Sequence, residues 1–143
     1  LLTTGNKSEL AVGYATLYGD MCGAFNPIKD LYKTEVYEVA EFCGKIPQNI
    51  IDKAPTAELR ENQRDDDTLP PYDVLDAILM ELVEERKTID EIVADGFDLE
   101  VVKQVTDMLY KAEYKRFQSA PGPKLSATSF GKDWRYPLTN KYS

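Results

Sequence analysis

The sequence contains no histidine, and it has only two cysteines, Cys22 and Cys43, among its 143 residues. Without an imidazole, proton transfer near neutral pH has to use carboxylates, lysines, a metal ion or a bound cofactor. Two cysteines without a metal-ligand spacing make neither a zinc motif nor a disulfide framework, and the common zinc sites and triads also lose their histidine. We therefore expect both cysteines to be small buried thiols.

Long apolar runs and positive charge are also scarce. The apolar runs fall far short of the roughly 20 residues that span a bilayer, and nothing resembles a signal sequence, which favours a cytoplasmic protein. The 25 acidic residues outnumber the 17 basic ones and give a net charge of −8. This balance disfavours general binding to nucleic acid or anionic membranes, so an anionic small molecule would need a local basic pocket.

What the chain does have is the composition of one globular domain, 43% hydrophobic and 29% charged. It opens on TTGNKSE at residues 3–9, a pattern typical of a strand that turns into a helix. Asn6 can cap that helix, with Glu9 at the third position of a capping box. The N–H groups freed at such a turn suit a phosphate or carboxylate, although a purely structural turn has the same pattern.

Apolar spacing predicts helices over residues 9–16 and 31–43, the second ending at Gly44, and Pro47 starts a short third helix. Lys33 falls in the first turn of the second helix, where a cation opposes the helix dipole by about 0.3–1 kcal/mol. A nearby anion would offset this cost. The alternative is a solvated surface lysine.

Residues 54–71 have no hydrophobic periodicity, over a stretch longer than the roughly 12–15 residues usual for a structureless loop. We interpret residues 55–71 as a mobile lid. The acidic residues 65–67 (Asp65, Asp66 and Asp67) could hold a divalent cation through their oxygens, or could be a solvated run of like charge.

Residues 72–118 are predicted to form a helical subdomain of three packed helices. The first has apolar side chains on one face, and Asp76 and Glu84 on the opposite face. Met80, on this first helix, and Met108, on the third, fit the core of the subdomain rather than a cofactor pocket.

Capping patterns mark the other two helices. Thr88 and Glu91 form a capping box for a helix that ends near Gly96, and Asp98 caps the next helix. That helix runs into YKRFQ at residues 114–118, a basic and aromatic patch suited to an anionic ligand, or else ordinary surface charge.

Residues 119–143 form an irregular tail with several prolines. Its Trp134, Arg135 and Tyr136 carry aromatic surface that is costly to leave in water. We expect this part of the tail to dock on the body of the domain or on a partner chain.

The chain resembles the NAD synthetase family, in its glutamine-dependent form, in the order and spacing of seven segments. These are TTGNKSE, GD from residue 19, NPIKDLYKTEVYEVAE from 26, PTAEL from 55, QRDDDTLPPY from 63, GFD from 96 and EYKRFQ from 113. The resemblance implies the C-terminal portion of an α/β adenine nucleotide alpha hydrolase-like (N-type ATP pyrophosphatase) domain, here mainly α with one or two short strands. Residues 1–54 would supply the strand-turn-helix part of its site.

The activity that the resemblance implies is ligation. ATP, with Mg²⁺, adenylates the nicotinate carboxylate of deamido-NAD, and ammonia from glutamine then displaces AMP to give NAD. A carboxylate is a poor electrophile until one oxygen becomes a good leaving group, which is what adenylation provides. The family is dimeric, and the implied partners also include the remainder of the synthetase chain and its glutaminase domain.

The resemblance also implies roles for particular residues. Those of the ATP site are Thr4, Lys33 and Thr56. Those of the deamido-NAD site are Glu9, Tyr14 and Lys115, and Glu9 is also the implied magnesium ligand. No residue is assigned to catalysis.

The sequence departs from the family pattern at several places. Ammonia-dependent relatives have a lysine and an aspartate where this chain has Leu17 and Ala24, so those contacts are not transferred. Trp134 stands where the family typically has arginine. The Ser-Gly-Gly pyrophosphate loop and the glutaminase domain are missing, so we expect a fragment that is inactive alone. The alternative is a non-catalytic helical interaction or regulatory module derived from the same fold.

Overall fold

A computed structural model describes residues 1–53 and 69–138 of the chain. Helices dominate these two ranges, as the apolar spacing predicts. In chain order they are α1 (Lys7–Val12), α2 (Lys33–Cys43), α3 (Gln48–Ile51), α4 (Tyr72–Val83), α5 (Ile89–Ala94), α6 (Leu99–Lys111) and α7 (Glu113–Phe117).

Extended structure is limited, over the described ranges, to two isolated bridges. Leu2 pairs in parallel with Phe25, and Phe130 pairs with Trp134. The first bridge is fixed by Thr3 N–H, which donates to Phe25 O at 2.9 Å. The opening of the chain is therefore extended and turns into a helix, as predicted, and the mainly α class is confirmed.

The hydrophobic core lies between α1, α4, α5 and α6, where α4 and α6 each contact the other three helices. Its most deeply buried apolar side chains are Leu10, Ala11, Leu75, Ile78, Leu79, Val83, Ile92, Val102, Val105 and Leu109, each at most 2% exposed. Burying one such Leu, Ile or Val side chain contributes about 1.5–3 kcal/mol. Met80 and Met108 are partly buried against this cluster, and the predicted packing of α4, α5 and α6 is confirmed.

The first helix is shorter than predicted. It ends at Gly13 instead of continuing to residue 16, because Gly13 adopts a left-handed conformation with φ +73° and caps the helix. A Cβ on Gly13 would lie 2.9 Å from the Cβ of Ala112, at the junction of α6 and α7. Glycine is thus required here both by its dihedral angles and by close packing.

The predicted polar face of α4 is wrong at Asp76. This carboxylate is 1% exposed, because it points to the start of α2 and finds hydrogen-bond donors there. Glu84 is also partly buried, with its side chain 18% exposed. Both acids have partners in the interior, which is the condition under which charged groups are buried.

The expectation of buried thiols is also wrong, since Cys22 and Cys43 are exposed. Cys43 lies in the last turn of α2, a helix with no buried residue, and Cys22 lies in the loop before Phe25. Phe42, in the same last turn of α2, is 93% exposed.

The tail docks on the body of the domain, as predicted for Trp134, which is 9% exposed. Phe130 and Thr128 are also buried, whereas Arg135 is exposed. The predicted lid falls mostly outside the described residues, as do Thr56 and the acidic run at residues 65–67. In the described ranges, no helix is long and apolar enough to cross a membrane.

Candidate nucleotide site around helix α1

The start of α1 is fixed by the two residues that the sequence predicts as its cap. The Asn6 side-chain oxygen accepts from the Glu9 N–H at 2.9 Å, and Glu9 Oε2 accepts from the Asn6 N–H at 3.0 Å. This capping box satisfies two N–H groups that the helix start leaves without partners. Asn6 is buried and Glu9 is partly buried, so the cap also fixes the position of the Glu9 carboxylate.

Thr4 lies in the turn just before this cap, and its side chain is exposed. The turn is held from the side by Asn26, whose amide donates to Gly5 O at 2.7 Å. Asn26 is itself 3% exposed, which makes the turn a fixed part of the domain surface.

Lys33 lies beside Glu9, although 24 residues separate them in sequence. Lys33 Nζ is 3.3 Å from Glu9 Oε1, and the two side chains are 18% and 19% exposed. The same Nζ lies 5.3 Å from the ring centroid of Tyr72 and 5.8 Å from that of Tyr37, within cation–π range. The anion that offsets the dipole cost of Lys33 is therefore, in this structure, the Glu9 carboxylate.

The first turn of α2 is capped by side chains from two other helices. Lys33 N–H donates to Ser8 Oγ at 2.8 Å, and Thr34 N–H donates to Asp76 Oδ2 at 2.9 Å. Ser8 Oγ in turn donates to Asp76 Oδ1. Burial raises the pKa of Asp76 above its ordinary value, and the hydrogen bonds from Ser8 and Thr34 oppose that rise.

At the other end of α1, the structure brings Tyr14 and Lys115 together. Lys115 Nζ donates to the carbonyl oxygens of Gly13 and Ala15, both at 2.7 Å, on either side of Tyr14. Tyr14 N–H donates to Glu9 O at 2.9 Å. Glu9, Tyr14 and the two carbonyl groups that bind Lys115 thus all lie within residues 9–15, and Lys33 contacts Glu9 from α2.

Arg116 corrects the predicted basic patch, because it is buried rather than at the surface. It is 4% exposed, pairs with Glu113 at 2.9 Å and donates to the carbonyl oxygen of Ala11 at 2.6 Å. Burial lowers its pKa, and the Glu113 carboxylate opposes that effect. Arg116 therefore ties α7 to α1, whereas Lys115 is only partly buried.

A second buried ionic cluster lies beneath α1. Lys7 is fully buried, is 3.2 Å from Asp30 Oδ1 and bonds to Glu84. It also donates to Ser126 Oγ at 2.7 Å and to Thr128 O at 2.8 Å, which clamps the tail onto α1. Burial acts to raise the pKa of Asp30, but backbone and side-chain hydrogen bonds from the tail, together with the Lys7 charge, hold it below its usual range.

For a metal ion, the described part of the chain offers little beyond Glu9. It contains no group of three acidic, cysteine or histidine side chains that could hold one. Mg²⁺ is commonly held by one or two carboxylates together with substrate phosphates and water, so a single carboxylate is compatible with a magnesium site shared with a nucleotide.

The model of the NAD synthase family matches residues 1–119, which is most of the chain. The chain belongs to this family. It is 56% identical over 155 residues to the glutamine-dependent NAD(+) synthetase of Rhodobacter capsulatus, in an alignment that covers 99% of this chain and 28% of that protein. The resemblance found in the seven segments is thereby confirmed.

Solved structures of NAD synthetases have the same fold. The glutamine-dependent enzyme of Cytophaga hutchinsonii matches with a TM-score of 0.75 at 24% identity, over 98% of this chain and 24% of that one. The NH3-dependent enzyme of Campylobacter jejuni matches with a TM-score of 0.56 at 30% identity, over 82% of this chain and 41% of that one. The chain is thus a mainly helical part of an adenine nucleotide alpha hydrolase-like domain, and it spans about a quarter of the length of the curated relatives that it matches.

The sequence does not single out Ser8, Lys7 or Asp76, whose buried contacts lie around α1. One signal does mark Asp76: it shares a helical stripe with Tyr72, Leu79 and Val83, at spacings of four, three and seven residues. A charged residue within an apolar stripe predicts a buried, paired carboxylate. Ser8 and Lys7 carry no comparable signal, because their partners are distant in sequence.

Proposed function

We propose that this chain is part of a longer ATP-dependent ligase, a glutamine-dependent NAD(+) synthetase, acting in the cytoplasm as a homo-oligomer. The enzyme adenylates the carboxylate of deamido-NAD and releases pyrophosphate; ammonia derived from glutamine then attacks the adenylate and displaces AMP. The observation that carries the proposal is the family match over residues 1–119, combined with 56% identity to a curated synthetase along nearly the whole chain.

The two cations of the site suit the two anionic substrates. Lys33 lies at the start of α2 with a partly exposed ammonium group, and we assign it to the ATP phosphates together with Thr4. A bound polyphosphate would be attracted by the Lys33 ammonium group, and it would offset the unfavourable placement of this lysine at the start of α2.

Deamido-NAD is assigned to the other end of α1, where Tyr14 and Lys115 lie together. An aromatic ring suits stacking on the pyridine ring, and an ammonium group suits its carboxylate or a phosphate. Glu9 contacts Lys33 through its side chain and Tyr14 through its backbone carbonyl, so we assign it to the part of the site where the two substrates meet for adenylation. Thr56, outside the described residues, is assigned to the ATP site from the family pattern alone.

Glu9 is also the residue of this chain that we assign to Mg²⁺. A bound Mg²⁺ would neutralise charge on the phosphates during adenylation. The carboxylate already binds Lys33 through Oε1 and the Asn6 N–H through Oε2, so it is held in one orientation before any ligand arrives.

The proposal is tested by assaying the full-length protein with deamido-NAD, Mg-ATP and ammonia, or glutamine as the nitrogen source. We expect NAD and AMP in equal amounts, measured by a coupled dehydrogenase reaction and by chromatography. Formation of ADP and phosphate instead of AMP, or no turnover with either nitrogen source, would contradict it. A protein that makes no NAD but still self-associates would favour the alternative, a non-catalytic interaction module.

The isolated chain is expected to be inactive, because it spans about a quarter of the length of its curated relatives. The control is the full-length protein at the same concentration. A measurable rate of NAD formation by the purified 143-residue chain would refute this expectation.

A further inference from the structure

Asp76 and Ser8 stand outside every role assigned above, yet they connect α1 and α2, the helices that carry Glu9 and Lys33. Asp76 belongs to α4, Ser8 belongs to α1, and both are at most 1% exposed. Together they bind the first two N–H groups of α2, the helix that begins with Lys33. Tyr32, which precedes α2, provides no side-chain cap of its own.

We infer that Asp76 is a positioning residue, which acts through Ser8 and the first turn of α2 to fix Lys33 against Glu9. The inference rests on the proposed function, since it concerns the geometry of that site. Ser8 is adjacent to Glu9 in sequence, and its hydroxyl both accepts from Lys33 N–H and donates to Asp76. One carboxylate thereby joins the helix that carries Glu9 to the helix that carries Lys33.

A carboxylate fits this position better than any neutral isostere. Asp76 accepts from Ser8 on one oxygen and from the Thr34 N–H on the other, and an Asp side chain can accept on both. In an asparagine the amide group would replace one of these acceptors, so one donor would lose its partner. The negative charge of Asp76 also lies at the positive end of the α2 dipole, and this attraction strengthens the contact between α4 and the start of α2.

The experiment compares the full-length enzyme with its Asp76→Asn and Ser8→Ala variants, measuring the KM for ATP, the KM for deamido-NAD, kcat and the thermal midpoint. Thr106→Val is the matched control, because Thr106 is a buried residue of α6 whose hydroxyl donates to Val102 O of the same helix at 2.7 Å. Each variant is also made in a Lys33→Ala background.

We expect Asp76→Asn and Ser8→Ala to raise the KM for ATP roughly tenfold, the loss expected of a charge-assisted hydrogen bond. The KM for deamido-NAD should stay near the wild-type value, because Glu9 keeps its capping box. In the Lys33→Ala background the same substitutions should have little further effect on the KM for ATP, since their target is gone. Thr106→Val should leave both constants unchanged.

Several results would overturn the inference. One is an unchanged KM for ATP in both variants. Another is a rise in the KM for ATP that is equally large in the wild-type and the Lys33→Ala backgrounds. Equal rises for both substrates would indicate a loss of folded structure instead of a shift of Lys33. If Asp76→Asn does not fold, the smaller Ser8→Ala substitution decides alone. A wild-type enzyme that makes no NAD removes the proposed function itself, a failure visible before any variant is compared.

Discussion

Replacing Lys7 by methionine tests whether the buried ionic cluster holds this domain together. The Lys7→Met substitution keeps the length and apolar stem of the side chain and removes only its charge and three donors. In the wild type that charge is shared by Asp30 and Glu84, and the donors also bind Ser126 and Thr128 of the tail. The variant leaves the Asp30 and Glu84 carboxylates without the ammonium group that they share.

The expected loss in the free energy of unfolding follows from the burial of the Asp30 carboxylate, which remains in the variant. Lys7 and Asp30 have side chains 0% and 2% exposed, and Lys7 Nζ lies 4.7 Å from the ring centroid of Tyr32 and 5.9 Å from that of Phe130. Removing one partner of such a buried pair costs about 3–5 kcal/mol, because the other charge is left unpaired in a poorly solvated place. For a domain of this size we expect the thermal midpoint to fall by roughly 10 °C or more.

Urea unfolding of the 143-residue chain, followed by circular dichroism, measures this loss. The matched control is Lys111→Met, which removes an exposed lysine 2.6 Å from Asp107 in a pair of the kind that contributes little to stability. Lys7→Met should lower the free energy of unfolding far more than Lys111→Met, and the difference should shrink in acid as carboxylates become protonated. Equal, small losses in the two variants would refute the reasoning.

Three further predictions concern stability and use the same unfolding measurement. Gly13→Ala should lower the free energy of unfolding by about 2 kcal/mol or more, because it combines left-handed strain with a 2.9 Å contact to Ala112. Gly44→Ala has the same strain but open space around the new Cβ, and it should cost about 1 kcal/mol. Equal losses in the two variants would contradict the role of packing at Gly13. Because the pKa of Asp30 is lowered in the folded state, its contribution is complete above the ordinary carboxyl pKa and is lost as the pH falls through the folded value. The Asp30→Asn variant should therefore show a flatter pH dependence below about pH 4, and an unchanged slope would contradict this. Asp98→Ala should lose about 1 kcal/mol as the cap of α6, and no loss would remove that role.

Local rules were sufficient to predict most of the helices. Asn6 with Glu9 and Thr88 with Glu91 do form capping boxes, and Asp98 does cap α6, because each cap depends on residues only two or three positions apart. The first helix is an exception. Its end is set by the left-handed cap Gly13, a local signal that the apolar spacing over residues 9–16 overrides in the prediction, whereas the close packing of Gly13 against Ala112 is a tertiary contact.

The connections across the site could not be predicted locally. The bond from Ser8 to Asp76 spans 68 residues, and the bond from Lys7 to Thr128 spans 121. Such pairs are selected by packing, which brings distant buried polar groups together because none can remain unsatisfied. Asp76 lies in the apolar stripe of α4, but its charge alone predicts a solvated position.

The placement of Glu9 beside Lys33 could be predicted only in part from the sequence. Each residue was assigned from the family motifs, but the 3.3 Å contact between them is a property of the fold. The sequence indicated only that Lys33 needed a nearby anion to offset the helix dipole. The structure supplies that anion from α1, which gives the lysine a fixed position before a nucleotide binds.

The most direct test of the proposed site is a crossed kinetic measurement on the full-length enzyme with two variants and two substrates. Lys33→Ala should raise the KM for ATP and leave the KM for deamido-NAD near the wild-type value. Lys115→Ala should raise the KM for deamido-NAD and leave the KM for ATP near the wild-type value, because the Lys115 ammonium group lies at the opposite end of α1. If neither variant changes either constant, or if both variants change both constants equally, the assignment of the two ends of α1 to two substrates is wrong.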